Sequence, residues 1–307
     1  MLYGIDVGGT KIEIAIFDDH LKRQDGWRVD TPKDCYRDFI DAIISLIAQA
    51  DQRVEQPAKA IGIGMIGIVD DNGNCVSSNL PCVNGMSLVE DLTRSLVRPV
   101  AIDSDMNTFA LSESLGGAGA GIDMVLGAIV GTGTGSGLVV KEQIYKGRSG
   151  IAGEWGHVPI SATLVQRYQL PLRACGCGGF GCAETYIAGP GLLWLGQHCG
   201  GQFVDNPELI AALRGGDERA EKAFAIYLDC LAGSLAQAIL HYDPGVIVIG
   251  GGVSNIREIF HRLPALIEAH LLPGMSVPAL KRPRFGDASG VRGAAIMAQQ
   301  LCQKTAR

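Results

Sequence analysis

The stretch LYGIDVGGTKIEIAIF, Leu2–Phe17, reads as strand, turn, strand. Leu2–Val7 is apolar and β-prone, Gly8-Gly9-Thr10-Lys11 is a turn, and Ile12–Phe17 alternates. Glycines at such a junction let backbone N–H groups point at phosphate oxygens, because no Cβ blocks the approach. Thr10 adds a hydroxyl and Lys11 a positive charge, while Asp6 ends the strand, where a carboxylate can hold a hydrated Mg²⁺. The spacing is neither GxxxxGK[ST] nor a GxGxxG turn that opens a helix. An ordinary hairpin would look the same, so the reading needs a second signal.

That signal lies one domain further along. Met124–Val130 is an apolar strand, Gly131-Thr132-Gly133-Thr134-Gly135-Ser136-Gly137 a turn, and Leu138–Val140 starts a second strand. A pattern repeated at this scale is domain-level symmetry and not a short solenoid repeat. It predicts two similar α/β domains facing one cleft, each offering a glycine-rich turn to the same ligand. The remaining pattern agrees with α/β. Thr31, Pro32 and Asp34 read as a helix start, with Tyr36, Phe39, Ile40, Ile43, Ile44 and Ile47 as its apolar face. Ala60–Gly64 and Val100–Ile102 read as strands, and a helix is expected from near Met106. Asn206-Pro207 opens a helix that stops at Gly215-Gly216, Asp217–Tyr242 is a long amphipathic helix, and Val246–Ile249 is a buried strand. Helices over Arg257–Leu271 and Val291–Leu301 follow. The domains read as 1–118, joined by a terminal helix in 291–307, and a larger 119–290.

Composition excludes several classes. The 307 residues are 47% apolar and 19% charged, enough for a large core and unlike a disordered chain. A formal net charge of −6 and no run of Lys or Arg speak against a nucleic-acid surface. The N-terminus has no basic flank and carries Asp6 in its apolar stretch, and no uninterrupted apolar window spans a bilayer. Neither a secretory signal nor a membrane anchor is expected. Nine cysteines without such a signal point to a reducing, cytoplasmic setting, where clustered cysteines are read as metal ligands before disulfides.

Three further motifs carry chemistry. Ile102-Asp103-Ser104-Asp105-Met106-Asn107 puts carboxylates at the carboxyl end of a strand, where α/β proteins bind ligands. Phosphorylation of an alcohol needs a base that accepts the hydroxyl proton and aims its oxygen. Asp103 and Asp105 alternate sides of an extended strand, so only one can face a given cleft. Gly153-Glu154-Trp155-Gly156-His157 precedes Cys175, Cys177 and Cys182, spaced C-x-C-x₄-C. Three thiolates and one imidazole make a closed tetrahedral zinc site, with His157 the member that spacing alone does not settle. Val246-Ile247-Val248-Ile249-Gly250-Gly251-Gly252 is a buried strand whose glycines allow close approach of a nucleotide or, equally, a sharp turn.

IDVGGTK, GTGTGSG, GEWGH, CGCGGFGC, VIVIGGGVS and SGVRGAA stand in the order and spacing of the ROK family of bacterial sugar kinases and sugar-responsive repressors, which the chain resembles over essentially its whole length. PLRACGCGGFGC is most similar to the zinc loop of members that phosphorylate N-acetyl-D-glucosamine. The resemblance implies an actin-like, hexokinase-like (ribonuclease H-like) fold of two domains with a central cleft and a zinc-clamped loop. It implies a cytoplasmic, ATP- and Mg²⁺-dependent hexose kinase, commonly a homodimer, with N-acetyl-D-glucosamine as first substrate and fructose, other hexoses or N-acetylmannosamine as neighbours. It assigns Asp105 as base and places Asn79, Ser104, Glu154, His157 and Glu184 at the sugar. Asp6, Gly8, Gly9, Thr10, Lys11, Gly131, Thr132 and Gly133 fall at the phosphates, and Gly250, Gly251 and Gly252 beside the adenosine. His157, Cys175, Cys177 and Cys182 would hold a structural Zn²⁺.

Three positions depart from that pattern. Kinase members read Asn-Asp-Ala-Asn where this chain has Ser104-Asp105-Met106-Asn107, and Gly-x-Pro-Gly where it has Gly64-Met65-Ile66-Gly67. The segment Asp70–Asn74 is short. Asp105 survives all three, so they bear on the substrate more than on the reaction. ROK repressors carry an N-terminal helix-turn-helix. Here the first phosphate strand begins at Leu2, which favours a kinase over a repressor, while Ser104 and Ile66 motivate the alternative of a sugar binder that has lost its activity.

Overall fold

The computed structural model describes residues 1–70 and 74–305, so the short Asp70–Asn74 segment lies partly outside it. The chain forms two compact units. One comprises Met1–Asp123, Gly137–Ala152 and Pro283–Arg307, the other Met124–Ser136 and Gly153–Arg282.

The first unit is built on β1 (Leu2–Val7), β2 (Lys11–Phe17), β3 (Arg23–Asp30), α1 (Tyr36–Asp51), β4 (Ile61–Met65), the short strands β5 (Ile68–Val69) and β6 (Cys75–Val76), α2 (Leu88–Leu96), β7 (Val100–Ser104) and α3 (Asp105–Ser114). Its sheet runs β3-β2-β1-β4-β7. The hairpin β1–β2 is antiparallel, and β1, β4 and β7 are parallel. The alternating Ile5, Val7, Ile12, Ile14 and Ile16 pack with Phe39, Ile43 and Ile47 of α1, as the helical spacing predicts. The strand β3 is not visible in the sequence pattern. RQDGWRVD is a polar edge strand in which only Trp27 and Val29 pack against the core. Thr31 consequently caps no helix. It closes the hairpin end, with its N–H on Thr10 O (3.0 Å) and its hydroxyl on Gly8 O (2.8 Å), and α1 starts instead after Cys35.

The terminal helix α10 (Ser289–Thr305, numbered after those below) lies against β1, β4 and α3. It packs backbone on backbone. A Cβ at Gly4 would overlap the Val291 carbonyl, and one at Gly62 the Ala294 carbonyl. The returning chain is fixed by Glu113 of α3. This fully buried carboxylate accepts from Ala118 N (2.9 Å), Arg284 N (2.9 Å), Phe285 N (3.1 Å) and Ser289 Oγ (2.8 Å).

The second sheet runs β10-β9-β8-β11-β12. These are β8 (Met124–Val130), β9 (Thr134–Val140), β10 (Gln143–Ile144), β11 (Val246–Gly250) and β12 (Ala279–Lys281). β8, β11, β12 and the first residues of β9 belong to the second unit. β9 begins at Thr134, so the glycine turn is three residues and not seven. Thr134–Gly137 are already extended and buried. The helices are α4 (Ala162–Tyr168), α5 (Glu184–Ile187), α6 (Gly189–His198), α7 (Asn206–Arg214), α8 (Glu218–Tyr242) and α9 (Arg257–His270). α8 is long and apolar enough to cross a membrane, but 83% of its apolar window is buried inside the protein, as befits a core helix. On α8 the buried Asp229 accepts from Arg167 (2.8 Å), Tyr168 (2.6 Å) and His270 (2.7 Å), tying α4 and α9 to it.

Candidate phosphate, sugar and metal sites

In the first unit, Val7, Met65 and Ser104 lie side by side across β1, β4 and β7. The residues that follow them, Gly8, Ile66 and Asp105, therefore leave the sheet at one edge, where parallel strands present ligand-binding groups. The Gly8 turn is closed by Gly8 N on Lys11 O (2.9 Å). Lys11 reaches an exposed Asp30 (2.5 Å), a surface pair that holds it weakly. Asn79 sits against Gly9, where a Cβ would stand 3.6 Å from that of Asn79. Asp6 lies in a crevice beside Gly290, at the first turn of α10. Burial, then the neighbouring Glu13, push its carboxyl up to about 6, against the pull of Arg28. Glu13 is itself clasped by Arg23 (3.0 Å) and Arg28 (2.5 Å).

The β7–α3 corner is densely bonded. Ser104 is the N-cap of α3, its Oγ accepting from Asn107 N (3.2 Å). Asp105 Oδ1 accepts from Met106 N (2.9 Å), and its carbonyl accepts from Thr108 Oγ1 (2.9 Å). Asp103 turns inward, 3% exposed, and leaves the edge to Asp105. The two acids do not alternate along one strand as expected, because β7 ends at Ser104 and Asp105 already opens α3.

In the second unit, Gly131 N donates to Gly133 O (2.9 Å), and Gly189 N to Gly131 O (2.7 Å). Gly131 faces Gly251 and Gly252 of the β11 loop. Gly251 needs to be glycine twice over. Its φ is +78°, and a Cβ would collide with Val130 O. Gly131, Gly189 and Gly252 wall a cavity of about 850 Å³, completed by apolar Pro190, Leu193, Pro207, Ile210 and Ile256 and by the polar Asp205, Asn206 and Arg214. Its size and apolar walls suit a nucleoside. The Oδ1 of Asn206 is buried with no partner.

His157, Cys175, Cys177 and Cys182 bring one donor atom each to within 4.8 Å of one another. Cys177 Sγ is 3.6 Å from Cys182 Sγ, and His157 Nδ1 is 3.6 Å from Cys175 Sγ. Ligands on a tetrahedral Zn²⁺ at the usual bond lengths stand roughly 3.5–3.8 Å apart, so the four residues fit the ion. The Gly179 amide, then the neighbouring thiols, hold Cys177 below the ordinary thiol value, while burial pushes Cys175 up to about 12. A metal would displace that proton. No cysteine is in a disulfide.

Glu184 joins this cluster to the glycine turn. Its Oε1 accepts from Cys175 (3.2 Å) and its Oε2 from Thr134 N (3.1 Å). Glu154 lies 3.8 Å from His157 Nε2. With Nδ1 facing the thiols, Nε2 is left on the carboxylate side, which suits a residue that both binds metal and meets a sugar hydroxyl. The sequence does not single out Glu13, Lys146 or Asn206 as site residues. The only trace of Glu13 is a charge inside an apolar strand, Asn206 reads only as a helix start, and nothing local marks Lys146.

Among proteins of known family, the ROK family model matches residues 2–301. The chain is 46% identical to an N-acetylgalactosamine kinase of Shewanella sp. strain ANA-3, over 98% of this chain and 97% of that one. It is 42% identical to an N-acetyl-D-glucosamine kinase of Escherichia fergusonii, over 97% and 99%. Among solved structures, a ROK hexokinase from Thermus thermophilus superposes with a TM-score of 0.87 at 30% identity, covering 99% of each chain.

Proposed function

Because the chain belongs to the ROK family, we propose that it transfers the γ-phosphoryl group of ATP to a hydroxyl of an N-acetylated hexosamine, first of all N-acetyl-D-glucosamine to its 6-phosphate. The observation that carries this reading is the full-length likeness to two hexosamine kinases in a chain that keeps a carboxylate, Asp105, at the strand–helix corner.

In this reading Asp105 accepts the proton of the sugar hydroxyl as its oxygen attacks the γ-phosphorus, and the bond to the β-bridging oxygen breaks to release ADP. Gly8 N and Gly131 N close their own turns on Lys11 O and Gly133 O, so within Gly8–Lys11 and Gly131–Gly133 it is the backbone of Gly9, Thr10, Thr132 and Gly133, with the Lys11 ammonium, that takes up phosphate charge. Asn79, Ser104, Glu154, His157 and Glu184 orient the sugar. Gly250–Gly252 let the adenosine enter the cavity. Asp6, a hard oxygen donor beside the first turn, would hold hydrated Mg²⁺, which neutralises phosphate charge when bound. Zinc on His157, Cys175, Cys177 and Cys182 would have no open position, and its role is to brace the loop carrying His157 and Glu184.

A second substrate, N-acetylgalactosamine, is favoured by one observation: the kinase of that sugar is the more similar of the two relatives. An ADP-release assay with N-acetylglucosamine, N-acetylgalactosamine, N-acetylmannosamine, glucose and fructose, one at a time, tests both. The highest kcat/KM is expected for an N-acetylated hexosamine. ADP release no faster with any of them than without sugar overturns the reading.

A further inference from the structure

We infer that the ion pair between Asp103 and Lys146 positions the base, acting on Asp105 through the backbone on either side of it. The inference rests on Asp105 being the base, as proposed above. All the residues concerned belong to the first unit.

Asp103 is 3% exposed, and both its carboxylate oxygens are used. Oδ1 accepts from Ser104 N (2.8 Å) and from Asn107 Nδ2 (2.7 Å). Oδ2 lies 3.0 Å from Lys146 Nζ, on a side chain 25% exposed. Ser104 and Asn107 bracket Asp105, and the Ser104 Oγ bond to Asn107 N closes the bracket. The torsions that aim Asp105 are thus set by one buried carboxylate and its three donors. Lys146 supplies the cation that this buried carboxylate faces at 3.0 Å. Without that partner the carboxylate side chain is free to turn, and any turn pulls on Ser104 N and Asn107 Nδ2 together.

Lys146 is not a loose surface lysine. It follows β10, where Tyr145 N donates to Leu138 O (2.8 Å), and its own carbonyl accepts from Ala152 N (3.2 Å). The ammonium is therefore delivered from a closed loop on fixed backbone. A base displaced by about 1 Å can cost on the order of a hundredfold in rate. Loss of one support of the corner should cost less, with binding of the sugar little changed. A pair that merely stabilised the fold would lower the melting temperature and leave kcat per folded molecule alone.

The test uses Lys146→Met, Lys146→Arg, Asp103→Asn and the double variant Lys146→Met/Asp103→Asn, with Asp105→Asn in parallel. Thermal melts report the folded fraction. Lys146→Met is expected to lower kcat roughly tenfold, with the sugar KM within about twofold of the parent. Lys146→Arg, which keeps a cationic donor, should recover most of the loss. The double variant should be no slower than the slower single, because the two residues act as one unit. If Lys146→Met does not fold, Lys146→Gln takes its place with the same expectation. A kcat within about twofold of the parent in a folded neutral variant overturns the inference, as does additive loss in the double variant. Turnover retained in Asp105→Asn would remove the base reading and this inference with it. An inactive Asp105→Asn beside an unimpaired Lys146→Met would remove this inference alone.

Discussion

The glycine turns Gly8–Lys11 and Gly131–Gly133 occupy the same place in two sheets of the same order. Each joins the first two strands of a hairpin whose first strand is followed by two parallel neighbours, β3-β2-β1-β4-β7 in one case and β10-β9-β8-β11-β12 in the other. Their surroundings differ. The first turn carries Lys11 and has Asp6, Glu13, Asp30 and Arg28 around it. The second has no charge of its own and borrows Glu184 from α5, a carboxylate that also touches Cys175. A repeated fold can supply backbone amides twice, because they come with the hairpin. Charges must be placed residue by residue, and here they sit with the first copy. Charged side chains therefore surround the turn of the first unit, whereas the turn of the second lies beside a largely apolar cavity and a His/Cys cluster.

The strongest way to break that contrast is Asp105→Asn. Loss of a general base costs about 10²–10⁴-fold in turnover. Steady-state ADP release should show that fall, while calorimetric titration with the sugar gives a Kd close to the parent's. A kcat within about threefold would move the proton chemistry out of the first unit.

Cys177→Ser asks whether the second turn depends on its metal loop. Elemental analysis should find less than one zinc per chain. Loss of a structural ion is expected to remove several kcal/mol, or a melting temperature lower by about 10 °C. The ATP KM should rise with it, because Glu184 spans Cys175 and Thr134 N. Unchanged zinc content would exclude Cys177 as a ligand.

Glycine itself should be needed for different reasons in the two copies. Gly251→Ala puts a Cβ onto Val130 O at a φ of +78°, so about 1–3 kcal/mol of stability should be lost. At Gly9 a Cβ would meet only Asn79, at an ordinary 3.6 Å. Gly9→Ala should leave the melt within about 1 °C and raise the ATP KM instead, since only the approaching phosphate would feel the new methyl. Equal melts for the two variants would erase the distinction.

The sequence announced the parts that repeat or cluster. Leu2–Val7 and Met124–Val130 are strands over the residues their apolar runs predict, and the convergence of the three cysteines was legible from C-x-C-x₄-C. What escaped was written in no local pattern. β3 is polar because it is an edge, and the Thr31 capping signal was overridden by bonds to Gly8 and Thr10 that only the hairpin creates. Asp103 and Asp105 were equivalent on paper. They became distinct when Asn107 Nδ2 and Lys146, which no spacing connects to the corner, claimed Asp103.

The smallest expected effect is also the most specific to one copy. Burial, then Glu13, push the Asp6 carboxyl up to about 6, above an ordinary carboxyl. An acid whose pKa is raised on folding binds its proton more tightly when folded. Its favourable contribution is complete below the unfolded value, near 4, and is lost as the pH rises through 6. Above pH 6 the folded protein therefore bears the cost of an ionised Asp6. Two pKa steps correspond to about 3 kcal/mol at most. The crevice is not sealed from water, and the first turn of α10 favours the anion, so about 1–2 kcal/mol is the realistic size. Asp6→Asn should accordingly melt about 3–6 °C above the parent at pH 8 and level with it near pH 4, while losing activity through its weaker hold on Mg²⁺. Thr132→Ala, at the uncharged turn, should shift the melt by the same amount at every pH. A pH-independent gain in Asp6→Asn would mean that the first turn carries its charge at no cost, and the electrostatic half of the contrast would fail.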